Sequence, residues 1–143
     1  ADEDVIKAVG EPMVGMFNTA QWAHDLGNAE NRKFVAEFQK EYGRLPTVYA
    51  SQGYDTALMI DAAVREAKGK IEDKAVFGKA LATAKFSSVR GEFKLNVNHM
   101  PIQNYYLRQI WKDPNGRITN KLIGTVLTNH ADAYAGACKM KPW

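Results

Sequence analysis

The chain has 143 residues, 45% of them hydrophobic and 24% charged, which is the composition of an ordinary globular domain with enough length to build a core. Its net charge of +3 comes from 19 basic and 16 acidic residues dispersed along the sequence, without the clustered Lys and Arg of a nucleic-acid footprint. No apolar stretch approaches the roughly 20 residues of a membrane-spanning helix, the N-terminal Ala-Asp-Glu-Asp has neither the basic nor the apolar region of a signal peptide, and the single cysteine, Cys138, excludes an internal disulfide.

In chain order, Pro12 to Asn18 is short, apolar and flanked by turn-formers, the pattern of a buried strand. A loop with Trp22, His24 and Asp25 follows. From Asn28, the residues Phe34, Val35, Phe38 and Tyr42 recur at helical spacing opposite Arg32, Lys33, Glu37, Lys40 and Glu41, and Gly43 and Pro46 end the helix. Thr47 suits the N-cap of a second helix, in which Tyr54, Leu58, Met59, Ile60 and several alanines leave little polar face, so burial on more than one side is expected. Lys68-Gly69-Lys70 stops it. Glu72-Asp73 opens a third, one-sided helix carrying Val76, Phe77, Ala80, Leu81 and Ala84, expected at the surface.

Beyond Phe86 the helical period gives way to alternation over Arg90 to Val97, a half-buried strand. Tyr105 to Trp111 and Ile118 to Leu127 are strand-like runs joined by Asp113-Pro114-Asn115-Gly116, a strong hairpin turn. The stretch from Asn129 to Trp143 has no clear period and reads as a loop or short helix. One early strand, three helices and three late strands indicate an α/β or α+β fold with a mixed sheet. A doubly wound sheet places a strand between successive helices, so this order reads as truncated at its start.

Tyr42-Gly43-Arg44-Leu45-Pro46, Gly53-Tyr54-Asp55, Arg90-Gly91-Glu92-Phe93 and His99-Met100-Pro101-Ile102-Gln103-Asn104-Tyr105-Tyr106-Leu107 form an ordered set. Together they resemble the carboxy-terminal part of the periplasmic branched-chain amino-acid-binding proteins, the type I solute-binding family of ABC transporters, which includes relatives specific for aromatic acids. The resemblance runs from about Gly10 to Cys138 and implies a partial type I periplasmic-binding-protein fold. A complete member has two α/β lobes joined by a three-segment hinge, with the ligand enclosed between them. By that analogy residues 1–46 are part of the second lobe, 47–98 part of the first, and 99–143 the hinge return, hairpin and tail.

The resemblance further implies an extracytoplasmic component of an ABC transporter that captures a small amino acid or aromatic carboxylate and hands it to a membrane permease, with no cofactor and no catalysis. A ligand-sensing or interaction domain of the same ancestry is the alternative. The expected cleft wall is Met16, Phe17 and Asn18 at the early strand, Tyr49, Gln52 and Tyr54 at the start of the Thr47 helix, and Trp22. Free N–H groups at that helix start favour an anion, and the neighbouring aromatic faces suit a carboxylate on an apolar body. The competing reading is that Tyr49 and Tyr54 are core aromatics.

Other chemistry has little support. His24, His99 and His130 lack metal-ligand spacing, and His130 with Asp132 and Cys138 carries no catalytic signature. There is no Gly-rich phosphate loop and no nucleophile elbow, and Tyr105, Tyr106 and Trp111 are ordinary strand aromatics rather than a base-stacking surface. Apolar surface that would face a missing lobe, chiefly on the Thr47 helix, leads us to expect self-association of the chain.

Overall fold

The computed structural model describes residues 1–140. A short helix, α1 (Glu3–Val9), stands near the start, where the sequence reading places none. Its acidic first turn and Lys7 in the last turn complement the helix dipole, and Ile6 is buried. The next two helices, α2 (Ala29–Tyr42) and α3 (Val48–Glu66), begin where the sequence signals place them. Asn28 accepts the Asn31 amide at 2.8 Å, and Thr47 Oγ1 accepts the Ala50 amide at 3.0 Å, each satisfying an orphan donor of a first turn. Gly43 closes α2 at φ 66°, a left-handed conformation that glycine adopts without penalty. Asp73 opens α4 (Lys74–Ala82) by accepting the Ala75 and Val76 amides, both at 3.1 Å.

The expected strand over Pro12 to Asn18 is corrected. Glu11–Met13 is a 3₁₀ turn with Pro12 in its first turn, where the missing N–H costs nothing. Gly15 then takes a φ of 93°, and the strand β1 is Phe17–Ala20. It pairs antiparallel with β3 (Pro101–Lys112), Phe17 lying opposite Gln109 and Ala20 opposite Tyr106. β2 (Phe93–Leu95) pairs with the beginning of the same edge of β3. β4 (Ile118–His130) runs along the other edge, returning through a turn in which the Gly116 amide donates to the Asp113 carbonyl at 2.9 Å.

The architecture is α/β, as expected, but every strand pairing among the described residues is antiparallel rather than mixed. A parallel pair needs a crossover between successive strands, and all three long helices lie between β1 and β2. The half-buried strand expected over Arg90 to Val97 shortens to Phe93–Leu95, with Arg90 held in buried contacts before it and a turn over Asn96 to Met100 after it. A second 3₁₀ turn at Ala135–Ala137 lies in the tail, whose last three positions fall outside the described residues.

The main core packs Trp22, Ala23, Leu26 and Phe34 against Val89 and Tyr106, with Val35, Phe38 and Tyr54 around them. Burying each large side chain of this kind contributes about 1.5–3 kcal/mol. A smaller cluster of Ala63, Ala67 and Ala80, with Phe77, Leu81 and Ala84 packed against it, brings α3 and α4 together, while Val76, expected on the same apolar face of α4, is exposed. Burial of α3 on several sides is not observed. Only Ser51, Asp55 and Ala63 of α3 are buried, while Tyr49 is 75% and Ile60 45% exposed.

Candidate ligand-binding site

Strand alternation divides the residues expected at β1. Phe17 is 60% and Met16 53% exposed, whereas Asn18 turns to the opposite side of the strand. There Asn18 Nδ2 donates to Asn120 Oδ1 at 2.9 Å, and its Oδ1 accepts from Arg108 Nε at 3.0 Å and Nη2 at 2.6 Å. Both ends of the amide are spent within the protein. Trp22 is corrected to a core residue, being 1% exposed, with its indole N–H donated to Asn31 Oδ1 at 2.7 Å and its ring edge-on to Phe34. An indole satisfied in this way presents no surface to a ligand.

On α3, Tyr49 projects into solvent, Gln52 is half-buried, and Tyr54 packs on Phe34 at a centroid distance of 4.6 Å. Tyr54 also borders an apolar groove of about 360 Å³ between α2 and α3, with Phe38, Tyr42 and Gly53. Two of the amides at the start of α3 are taken within the chain. The Val48 amide donates to Asp2 Oδ1 at 3.0 Å, and Thr47 takes the Ala50 amide. An anion does sit at this helix start, as the dipole favours, but it belongs to the chain itself. The other Asp2 oxygen is buried without a hydrogen-bond partner among the described residues.

Two polar networks support these positions, and the sequence reading singled out neither. In the first, Arg108 is 3% exposed on β3 and donates to Asn18, to the Trp22 carbonyl and to the Ala1 carbonyl. Burial holds its guanidinium below the ordinary range, against the opposing pull of Asp2, Glu3 and Asp25. Asn120 Nδ2 donates to Glu3 Oε1 at 3.0 Å, and Thr119 Oγ1 donates to Glu3 Oε2 at 2.9 Å. His24 Nε2 lies 3.2 Å from Thr119 Oγ1, and its Nδ1, 3.5 Å from Asp25, is buried without a hydrogen-bond partner among the described residues. Burial lowers the His24 pKa, with Asp25 and Glu3 opposing. The available signal was Arg108 in phase with Tyr106 and Ile110, a cation on the inward side of a strand.

In the second network, Asp55 accepts Ser88 Oγ at 2.6 Å and Arg90 Nε at 2.7 Å on one oxygen, and the Val89 amide at 3.0 Å on the other. Arg90 passes on to Gln103 Oε1 at 2.9 Å, and Tyr106 donates its hydroxyl proton to the Arg90 carbonyl at 2.8 Å. Gly91 follows at φ 92°, where a Cβ would lie 3.3 Å from the Tyr106 hydroxyl. The Gly-Tyr-Asp and Arg-Gly-Glu-Phe segments are thus two sides of one junction. Cys138 is exposed and free, His130 stacks edge-on against Tyr105, and among the described residues no group of three or more His, Cys, Asp or Glu could hold a metal.

The comparisons with known proteins agree with this geometry. The family model described as "Periplasmic binding protein" matches residues 1–116. A curated relative, Leu/Ile/Val-binding protein homolog 6 of Brucella abortus (strain 2308), is 31% identical over 125 residues, covering 86% of this chain and 32% of its own. The chain therefore spans about a third of the length of the curated relatives it matches. Among solved structures, an R. palustris ABC-transporter solute-binding protein in complex with benzoate is 36% identical, with a TM-score of 0.83 over 98% of this chain and 37% of that one. A Rhodopseudomonas palustris BisB5 protein in complex with 3,4-dihydroxybenzoic acid is 26% identical, with a TM-score of 0.82 over 92% of this chain and 36% of that one. These relatives are solute-binding proteins rather than enzymes, and no helix of the described residues is long and apolar enough to cross a membrane. The chain belongs to the periplasmic binding protein family, as a segment of its type I solute-binding fold.

Proposed function

We propose that this chain is the carboxy-terminal part of an extracytoplasmic receptor that captures a small amino acid or aromatic carboxylate and delivers it unchanged to an ABC permease. The periplasm is the expected compartment. The observation that carries the reading is the 36% identity, over 98% of the chain, to a solute-binding protein in complex with benzoate. It favours an aromatic carboxylate over an aliphatic amino acid. In this reading residues 1–46 belong to the second lobe, 47–98 to the first and 99–143 to the hinge return, and ligand shifts the lobes from open to closed.

Met16, Phe17 and Tyr49 are the residues we assign to the cleft wall, with Gln52 beside them. Their support is chemical: large apolar and aromatic side chains left in solvent at the start of β1 and at the start of α3. Asn18 acts through Arg108 to hold β1 in place. The same exposed surface supports self-association of the isolated chain.

Small-angle scattering of the full-length protein with and without benzoate and 4-hydroxybenzoate tests lobe closure. The radius of gyration should fall on saturation with one of them. An unchanged scattering profile with a ligand that demonstrably binds would remove closure from the mechanism.

A further inference from the structure

We infer that Arg108 is a positioning residue of the proposed cleft: from β3 it fixes the two halves of the wall, Met16 and Phe17 at β1 and Tyr49 and Gln52 on α3, relative to each other. The inference rests on the assignment of that wall and explains how two separate pieces of chain hold one geometry.

The two halves have no short covalent link. The chain leaves β1 at Ala20 and reaches α3 at Val48 only after the whole of α2. Phe17 and Tyr49 are both exposed, so their own packing does not set their places.

Arg108 supplies the connection. It is the cross-strand partner of Asn18, the residue after Phe17, and holds Asn18 Oδ1 with both Nε and Nη2. Nη2 also donates to the Ala1 carbonyl at 3.0 Å, and Asn120 Nδ2 of β4 donates to the same carbonyl at 3.2 Å. The next residue, Asp2, accepts the amide of Val48, the first residue of α3 and the neighbour of Tyr49. One buried guanidinium thereby joins the residue beside Phe17 to the residue beside Tyr49 through a run of hydrogen bonds. A third direction is pinned by Nη1, which donates to the Trp22 carbonyl at 3.3 Å. Arginine suits this place because its planar fork presents donors in fixed directions, whereas a lysine ammonium is a single point on a flexible stem. Arg108 and Asn18 lie on the opposite side of the sheet from Phe17, so the effect on a ligand is exerted through neighbours rather than by contact.

Isothermal titration of the full-length protein with benzoate and 4-hydroxybenzoate tests this on wild type, R108K, D2A and D2N, with urea denaturation to establish that each is folded at the titration temperature. R108K and D2A should bind about three- to thirtyfold more weakly, the scale of effect open to a residue that acts on a site without touching its ligand. The ratio of the two affinities should shift as well, because a displaced wall meets the two compounds differently and a simple loss of stability does not. D2N keeps an acceptor for the Val48 amide and should bind as the wild type does. If R108K does not fold, the comparison of D2A with D2N decides. Folded variants that all bind like the wild type overturn the positioning role and leave the receptor standing. Losses equal for both compounds, and equal in D2A and D2N, mean a general loosening and overturn it too. A wild type that binds neither compound overturns the cleft assignment and this inference with it.

Discussion

Asp55 on α3 and Arg90 before β2, 35 residues apart, form a buried ion pair with Nε 2.7 Å from the carboxylate. Ser88, the Val89 amide and Gln103 take up the remaining capacity of the two groups, the condition under which a buried pair is tolerated. Removing one partner leaves the other charge buried alone. Asp55→Ala and Arg90→Ala should therefore each cost about 3–5 kcal/mol, and the double variant should cost less than their sum by 1 kcal/mol or more. Urea denaturation of the four proteins checks this, and additive losses would mean the two residues act separately.

Trp22 separates a core role from a ligand role. Trp22→Phe removes the donor to Asn31 Oδ1 while keeping an aromatic ring against Phe34. The expected loss is about 1–3 kcal/mol of stability, from the acceptor left buried without its partner. In the full-length protein the same change should leave ligand affinity within a few-fold of wild type. A large affinity loss at unchanged stability would restore Trp22 to the cleft.

Tyr49 is the converse case. At 75% exposure, Tyr49→Ala should change stability by no more than about 0.5 kcal/mol. If Tyr49 lines the cleft, isothermal titration of the full-length variant should show affinity reduced by roughly tenfold or more. An unaltered titration would remove it from the site.

His24 makes stability depend on pH. Burial lowers its pKa in the folded protein, Arg117 and Arg108 adding to the shift while Asp25 and Glu3 oppose it. The unfolded chain takes up this proton near the ordinary value of 6.5, the folded chain only at lower pH. The contribution of His24 is thus fully present above pH 6.5 and is lost as pH falls toward the folded value, at up to about 1.4 kcal/mol per pH unit for one proton. Chemical denaturation at a series of pH values should give a shallower decline for His24→Gln than for wild type below pH 6.5. Parallel slopes would show that His24 is not the titrating group.

What could be read from the sequence was local. The helix openings at Asn28, Thr47 and Glu72-Asp73, the terminating Gly43 and the Asp113 to Gly116 turn each act within a few residues, and each lies where its signal indicates. What escaped depends on distant partners. Asp2 leaves α1 without a side-chain cap because its carboxylate goes to Val48, 46 residues away, and this also fills the expected anion position of α3. The motif residues Asp55 and Arg90 were visible as a resemblance, but their pairing requires the fold. Of the expected cleft wall, Met16, Phe17 and Tyr49 remain open to solvent, while Asn18, Trp22 and Tyr54 are engaged inside the protein. Residue type alone could not separate these groups, because an aromatic side chain suits a core and a cleft equally well.

The most direct test of the account is equilibrium dialysis of the full-length protein against benzoate, 4-hydroxybenzoate and leucine, with the ligand recovered and identified by mass spectrometry. We predict saturable one-to-one binding of a benzoate-type carboxylate, a corresponding rise in melting temperature, and recovery of the compound unchanged. No retention of any carboxylate, or recovery of a chemically altered product, would contradict a receptor that binds and releases its solute.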